Sequence, residues 1–469
     1  MRVAEQVQVT GTAIEGLLLV DLPVHGDDRG WFKENWQREK MTAAGLADFG
    51  PVQQNISFNE QVGTTRGIHA EPWDKFVSVA TGRVFGAWVD LRTGPGFGTV
   101  VTAELDPSRA AFVPRGVGNA FQTLAPGTAY SYLVNDHWSP EASYSLLNPA
   151  DPTVAIEWPV PLAEAQLSAK DRTHPLLDDV VPVGPRKVLV VGADGQLGRA
   201  LREVLGQVAH VEYATRAQLD VTDALLPSAR RWRDYGVIIN AAADTEVDAA
   251  QTSEGRMRAW ATNATAVARL AGVATEHGLT LVQVSTDYVF DGAARRPYTE
   301  DAPLCPLGVY GQSKAAGDLA TASTPRHYLL RTSWVIGAGH NFVRTMASLA
   351  ARGVDPHVVV DQVGRLTFAT DLAAAIAHLL SSRAPYGTYN LTSTGPPRSW
   401  VDIARAVFSQ TGHDPARVQA VTTAQYYAGS TRPVAPRPPY SMLDLTKITA
   451  AGYTPPDGDR ALVEYLDGL

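Results

Sequence analysis

Tyr310 and Lys314 stand four residues apart in Val309-Tyr-Gly-Gln-Ser-Lys314, and Ser285-Thr286-Asp287-Tyr288 closes an apolar run a little earlier. Residues four apart share a face of a helix. An ammonium beside a phenol favours phenolate and draws tyrosine down from its ordinary pKa of about 10. Such a phenol can hand a proton to a developing alkoxide, and Thr286 is placed to hydrogen-bond the same oxygen. A Tyr-x-x-x-Lys pair alone is usually a surface pair. A third phrase, Gly192-Ala-Asp-Gly-Gln-Leu-Gly198, changes its weight. It follows the strand-like Lys187-Val-Leu-Val-Val191 and opens a segment whose Leu197, Leu201, Val204 and Leu205 recur at helical spacing. Glycines at a strand-to-helix turn let backbone approach a pyrophosphate, and the helix N-terminus supplies the field that holds it. The three phrases together describe hydride transfer from a nicotinamide dinucleotide to a carbonyl.

The cofactor contacts expected are Gly192, Asp194, Gly195, Gln196, Leu197 and Gly198 on the turn, with Tyr310 and Lys314 at the reducing end. Asp220 and Val221 would hold the adenine edge, and Ala241 and Ala242 end the next strand where backbone passes the cofactor. The second strand, His210 to Thr215, ends in Thr215-Arg216 instead of the acidic residue that would bind a ribose diol. Arg216 either faces a 2′-phosphate or is a solvated surface arginine. NADPH is therefore preferred, with NADH the alternative.

These elements belong to a chain of 469 residues, long enough for two or three cores; two are expected. Charged residues make up 19% and the net charge is −8, so no basic face exists to neutralise a phosphate backbone, and nucleic acid is excluded as a partner. The N-terminus lacks the apolar core of a secretory signal, and no stretch has the apolar length to span a bilayer. The single cysteine, Cys305, offers neither an internal disulfide nor a structural zinc cluster. A soluble, cytoplasmic protein is expected. The first ~180 residues read as short alternating strands of a sandwich or barrel. Within them Phe76 to Ala80, a Thr81-Gly82 turn and Arg83 to Leu91 predict one hairpin. The Pro- and Gly-bearing stretch Asp178 to Arg186 marks a boundary, giving domains 1–183 and 186–469. Beyond it, apolar runs such as Val237-Ile-Ile239 and Leu279 to Val284 alternate with amphipathic stretches, the βα rhythm of a parallel sheet.

Residues 186–469 resemble the dTDP-4-dehydrorhamnose reductase family of extended short-chain dehydrogenases. The matching phrases are the glycine turn, Leu219-Asp-Val-Thr-Asp223, Asn240-Ala-Ala-Ala243, Ser285-Thr-Asp-Tyr-Val-Phe-Asp-Gly292, Val309 to Lys314, Leu330-Arg-Thr-Ser-Trp-Val335, Asp361-Gln-Val-Gly364 and Arg437-Pro-Pro-Tyr-Ser-Met-Leu-Asp444. The resemblance implies an α/β Rossmann fold, a doubly wound parallel sheet, with a small C-terminal substrate subdomain. It makes Thr286, Tyr310 and Lys314 the catalytic set and turns Tyr288 and Trp334 toward the sugar. Asp244 and Glu246 depart from the family, which usually has tyrosine and a small residue there.

Residues 21–175 resemble the dTDP-4-dehydrorhamnose 3,5-epimerase family, an all-β cupin jelly roll, through Asp28-Arg-Gly-Trp-Phe-Lys-Glu34, Gln53-Gln-Asn-Ile-Ser57, Arg66-Gly-Ile-His69, Lys75-Phe-Val-Ser-Val79, Val89-Asp-Leu-Arg92, Pro114-Arg-Gly116 and Leu167-Ser-Ala-Lys-Asp171. Epimerising a 4-keto sugar at C3 and C5 needs a base on one face, a cation at the enolate oxygen and an acid on the other face. The resemblance gives these roles to His69, oriented by Asp171, to Lys75 and to Tyr132. Composition alone favours reading His69 as an interior histidine and Lys75 as a solvated strand charge; the cluster of matching phrases reverses this. Arg66 suits the pyrophosphate; Arg29, Glu34, Gln53 and Asn55 match positions of nucleotide contact, and Trp138 offers an aromatic face for thymine. Two departures stand out: five residues separate His69 from Lys75, fewer than usual, and Asn119 occupies a position where the family commonly has histidine. No His-x-His pair with a later acid and histidine is present, so no metal is expected. The family implies a homodimer through the cupin domain and a dTDP-sugar substrate. The reading is a bifunctional enzyme that epimerises dTDP-4-dehydro-6-deoxy-D-glucose and reduces the product at C4 to dTDP-L-rhamnose. Its competitors are a reductase joined to a single-position epimerase and a reductase joined to a silent binding or dimerisation module.

Overall fold

The computed structural model describes residues 5–140 and 142–469. The chain divides into two compact units, one ending at Pro185 and the other Arg186–Leu469.

The first unit is built from two antiparallel sheets. One has the order β1 (Gln8–Gly11), β2 (Leu18–Asp21), β10 (Arg109–Val113), β7 (Lys75–Thr81), β12 (Thr128–Val134), β5 (Gln53–Asn59). The other runs β13 (Ser145–Leu146), β6 (Thr65–Ala70), β11 (Val117–Thr123), β8 (Val84–Asp90), β9 (Val100–Leu105). A separate hairpin joins β3 (His25–Asp27) to β4 (Gly30–Phe32). Strand side chains alternate between faces, and the cores follow that alternation. Val77 and Val79, Ala111 and Val113 and Trp88 meet in one cluster supplied by both sheets. Phe76, Ala110 and Phe112 point the other way, under Met41 of the short helix α1 (Arg38–Ala43), Leu46 and Phe49. Ala87 and Val89 pack beneath Leu147, Val154, Leu177 and Val180 of the later segment. Both sheets are thus apolar on both faces over their central strands.

That double burial overturns the predicted hairpin. β7 pairs with β10 and β12, whereas β8 pairs with β11 and β9. The Thr81-Gly82 turn therefore carries the chain from one sheet to the other. Two apolar strands joined by a tight turn look identical whether they pair with each other or with partners distant in sequence.

In the second unit six parallel strands take the order β15 (Val211–Ala214), β14 (Lys187–Val191), β16 (Tyr235–Asn240), β17 (Thr280–Thr286), β18 (His327–Thr332) and the strand Gly387–Asn390. Helices cover both faces. Val190, Ile239, Val282 and Leu330 pack against Leu197 and Leu201 of α2 (Gln196–Leu205) and, from a helix later in the chain, Leu372 and Ile376. Leu189, Val191, Ile238 and Leu281 pack on the opposite side against Ala266, Leu270 and Val273. Those three lie on α4 (Ala266–His277), which follows α3 (Ser253–Trp260). Helix α5 (Val309–Ala322) precedes β18, and α6 (Phe342–Ala351), α7 (Ala369–Ser381, carrying Leu372 and Ile376) and α8 (Trp400–Gln410) follow it. A further core joins Val343, Met346, Val401, Phe408 and Leu462, forming a smaller C-terminal lobe. Strand order reverses at β14, between β15 and β16, which creates a crevice at the carboxyl ends of these strands. Among the described residues no helix is long and apolar enough to cross a membrane.

Gly82 has φ +85°, and a Cβ there would run into Thr128. Gly82→Ala is expected to destabilise the first unit by about 2 kcal/mol, read as a lower urea midpoint in tryptophan fluorescence; an unchanged midpoint would mean that the turn relaxes freely.

Candidate active sites

In the first unit a cavity of about 490 Å³ is lined by His69, Asp171, Lys75, Tyr132, Arg66 and Asn119, together with Glu71 and Ser57. His69 lies on β6 and Asn119 opposite it on β11, in one sheet; Lys75 and Tyr132 lie on β7 and β12, in the other. The imidazole and the phenol therefore enter the cavity from different walls. Asp171 begins a single 3-10 turn, Asp171–Thr173, and its N–H donates to Ser168 Oγ at 3.0 Å. That segment is tied down where Gln166 N–H donates to Gly63 O at 3.1 Å and Thr65 N–H to Gln166 O at 2.9 Å. His69 Nε2 then lies 3.1 Å from Asp171 Oδ1.

Lys75 is buried and forms an ion pair with Glu71, four residues earlier. Its ammonium also sits 5.7 Å from the centre of the Tyr132 ring. Burial raises the pKa of Tyr132, the Glu71 charge adds to this, and Arg66 opposes it. Tyr132 is thus held as a phenol, a state that can donate. Asn119 Oδ1 accepts from Trp88 Nε1 at 2.9 Å and from Tyr130 Oη at 3.2 Å, which fixes its side chain.

Other expected contacts are not brought to this cavity. Arg29 sits at the exposed β3–β4 turn, paired with Asp27 at 2.5 Å. Glu34 pairs with Lys40 beside a different concavity. Trp138 is 65% exposed, and its N–H donates to Gln53 Oε1 at 3.4 Å. Asn55 lies opposite Tyr132 across β5 and β12, and Gln53, two residues earlier, shares its face; neither lines the cavity, while Ser57 does. The sequence reading missed Glu71, which lies in the loop before β7 where no local spacing rule points to Lys75, and His174. The latter is buried with its ring 5.4 Å from that of His69, edge to face. Burial lowers its pKa, as does the neighbouring His69 charge. Among the described residues, His69, Asp171 and His174 bring three possible metal-ligand atoms within 4.8 Å of one another. Linear spacing could not reveal this set, because strand pairing assembles it.

In the second unit the glycine turn joins β14 to α2. Gly192 has φ +74°, and a Cβ on it would come 2.6 Å from Ala242 N. A Cβ on Gly198 would come 2.6 Å from the carbonyl carbon of Ala193. Backbone passes backbone here, so this cradle admits only glycine and leaves the first amides of α2 facing the crevice. Gly195 is the N-cap of α2. Asp194 and Gln196 flank it, whereas the Leu197 side chain is in the core, so only its amide can serve a ligand. Ala241 N–H donates to Val191 O at 3.0 Å and Ala242 N–H to Asn240 Oδ1 at 3.1 Å, closing the neighbouring wall. Arg216, exposed just past β15, donates from Nε to Asp220 Oδ2 at 3.2 Å. Thr222 and Arg216 hold Asp220 below the ordinary carboxylate range; Val221 is buried beside it.

Tyr310, Lys314 and Asp318 succeed one another on consecutive turns of α5, all buried. Burial pushes the Tyr310 phenol upward, as does the Asp287 charge, while the Thr286 hydroxyl opposes both. The expected acidification of Tyr310 by Lys314 is not found in the protein by itself. Lys314 Nζ donates to Val284 O at 2.6 Å, and burial lowers its pKa to about 8 despite Asp318. Desolvation outweighs the Thr286 hydrogen bond, and Tyr310 stands as a neutral donor. Asp318 receives Arg331 Nε at 3.0 Å, and Arg331 Nη1 donates to Glu300 O at 2.8 Å. Thr286 Oγ1 donates to Asp287 Oδ1 at 3.0 Å; burial raises Asp287 to about 6.

Tyr288 lies edge-on to Tyr310, 5.5 Å between ring centres. Arg437, held by Asp248 at 2.8 Å, sits 5.1 Å from the Tyr427 ring centre and faces Tyr288 electrostatically. Trp334 follows β18 with φ +48° and stacks on Trp400 at 3.8 Å. The unusual Asp244 pairs with Arg258, and its N–H donates to Asn263 Oδ1 at 2.9 Å. The acid that replaces the family's tyrosine is therefore neutralised locally.

Residues 186–469 match the model of the RmlD substrate binding domain, and residues 11–179 match that of dTDP-4-dehydrorhamnose 3,5-epimerase. A protein RmlC homolog of Streptococcus pyogenes serotype M6 is 51% identical over 180 residues, which is 37% of this chain and 90% of that protein. A dTDP-4-dehydrorhamnose reductase of Aggregatibacter actinomycetemcomitans is 38% identical over 293 residues, 59% of this chain and 97% of that one. A dTDP-4-dehydrorhamnose reductase from Bacillus anthracis, solved in complex with NADP, is 31% identical over 60% of this chain and 98% of its own, with a TM-score of 0.55. With a cavity that pairs an imidazole with a carboxylate ahead of a glycine cradle and a buried tyrosine-lysine helix, the chain belongs to the RmlD substrate binding domain family through residues 186–469 and to the dTDP-4-dehydrorhamnose 3,5-epimerase family through residues 11–179.

Proposed function

We propose that the two units catalyse consecutive steps: 3,5-epimerisation of dTDP-4-dehydro-6-deoxy-D-glucose, then reduction of the C4 ketone to dTDP-L-rhamnose. The observation that carries this is the convergence of the His69–Asp171 pair, Lys75 and Tyr132 on one cavity. His69 removes the proton at C3 or C5, and Asp171 orients the ring and stabilises the imidazolium. Lys75 stabilises the enolate oxygen. Tyr132, from the other wall, returns a proton to the opposite face of the carbon. Arg66, which donates to Asn59 Oδ1 at 3.1 Å, keeps donors for the pyrophosphate.

The paired antiparallel sheets support a cupin jelly roll, and the parallel sheet with its reversal at β14 supports a Rossmann fold. The glycine cradle fits a dinucleotide pyrophosphate, and exposed Arg216 favours NADPH over NADH. When bound, that cofactor supplies the hydride. Tyr310 delivers the proton to the C4 oxygen, Thr286 hydrogen-bonds that oxygen, and Lys314 keeps positive charge beneath the phenol. Tyr288, Trp334 and Arg437 line the approach for the sugar nucleotide. A homodimer through the first unit is supported by the edge strand β5, whose Ile56 and Phe58 are 67% and 60% exposed. The lone, exposed Cys305 suits a reducing cytoplasm.

His69→Ala should abolish epimerisation and leave reduction of the pre-epimerised ketone intact; wild-type protein should incorporate solvent deuterium at both C3 and C5. Label at one carbon alone would favour the single-position reading, and undiminished product from the variant the silent-module reading. Tyr310→Phe should lower the reductive kcat by about 10²–10⁴-fold while NADPH binding, followed by fluorescence, persists. Because Lys314 loses its proton near pH 8, reductive kcat should be sustained below that pH and fall above it, with the alkaline limb absent in Lys314→Met at its lower rate.

A further inference from the structure

We propose that His69, Asp171 and His174 form a binding site for one divalent transition metal, zinc by its donor set, and that filling it withdraws the base from epimerisation. Two independent observations carry this. The first is geometric. Asp171 Oδ1 lies 3.1 Å from His69 Nε2 and 3.7 Å from His174 Nε2, and the whole set fits within 4.8 Å. Metal bonds of about 2.0–2.1 Å in a tetrahedron set ligand atoms roughly 3.4 Å apart. Two of the three separations already bracket that value, and the third is no longer than 4.8 Å. Two imidazoles and one carboxylate, with room for water from the cavity side, make a mixed nitrogen and oxygen site of the kind zinc takes.

The second observation is the state of His174. It is 6% exposed, yet neither ring nitrogen meets hydrogen-bond geometry with any protein atom. The Leu147 backbone is near enough to favour the charged form but does not complete a bond. A buried, unpaired imidazole is costly. Here its Nε2 is aimed at the one carboxylate oxygen that His69 also uses. His174 does not line the sugar cavity, so the epimerisation chemistry gives it no task.

The metal takes the place of the proton that His69 shares with Asp171. Coordination requires both imidazoles neutral with the ligating nitrogen unprotonated and the carboxylate ionised, so the single proton of the His69 ring moves to Nδ1, the nitrogen left facing away from the ion, and only a second ring proton would pass to solvent. With Nε2 committed to the ion and Asp171 no longer its partner, His69 cannot cycle between base and acid. The second unit continues to reduce ketone that is already epimerised.

The inference draws on the epimerase reading only for its functional consequence; metal binding is measured separately. Full-length protein stripped with EDTA and desalted is titrated with zinc, following bound metal by equilibrium dialysis, and with cobalt, following the visible absorption of a tetrahedral ion. The same samples are assayed for solvent-deuterium incorporation and for reduction of the pre-epimerised ketone. One ion per chain and loss of deuterium incorporation with reduction unchanged are expected, reversed by EDTA. His174→Gln should keep epimerisation while raising the zinc concentration for half-inhibition about tenfold or more. His174→Phe, which keeps the edge-on packing against His69, guards against a folding artefact and should behave the same way. Equal zinc inhibition in both variants, zinc occupancy unchanged by them, or zinc that stops reduction as well would overturn the proposal. Metal-free protein without epimerase activity would remove the functional reading, and the dialysis and cobalt arms would still decide the site.

Discussion

Removal from water sets what both sites can do. A phenol taken into the interior resists ionisation, and an ammonium taken there resists protonation unless a counter-charge accompanies it. Tyr132 and Tyr310 are both shifted upward by burial and stay protonated at neutral pH. Lys75 and Lys314, each beside one of these phenols, are each given a carboxylate four residues away: Glu71 before Lys75 and Asp318 after Lys314. Two unrelated architectures, a strand entering a sandwich and a helix flanking a parallel sheet, thus arrive at the same triad of phenol, ammonium and carboxylate. In one, the ammonium faces the phenol ring across two strands; in the other, it follows the phenol by one turn of a single helix.

The carboxylates differ in how they are themselves held. Glu71 also accepts from Trp73 Nε1 at 2.9 Å, which fixes it at the cavity edge. Asp318 is pinned by Arg331, so Lys314 feels a carboxylate whose charge is already shared. Burial of an ion pair costs desolvation that the pair alone seldom recovers, and Arg331 recovers part of it through the Glu300 carbonyl. The arrangement favours a fixed geometry over a strong local field, which suits groups that must return to the same protonation state after every turnover.

Much of this was legible in the chain. The glycine turn, the βα rhythm and the Tyr310–Lys314 spacing each depend on neighbours within a few residues, where local rules hold. His69, Lys75 and Asp171 were found through family phrases and Tyr132 through the role the resemblance implies, and all four line one cavity. What failed to show depends on pairing between distant segments. The sheet membership of β7 and β8 is set by β10, β12, β11 and β9, none adjacent to both. His174 reaches His69 because a turn some hundred residues later is tied to Gly63 and Thr65. Arg29, Glu34 and Trp138 were transferred by position, and they lie exposed outside the lining of that cavity. The direction of the Tyr310 shift was misjudged because spacing reveals an ammonium but not the dryness around it.

The approach of backbone to backbone at Gly192 and Gly198 constrains heredity as well as binding. Every missense change at those codons adds a side-chain carbon where Ala242 or Ala193 already stands, so natural variation has no gradual route through them. Arg216, with its side chain 80% exposed, is under no such restriction. The backbone cradle is therefore closed to single substitutions, while position 216 stays open to them.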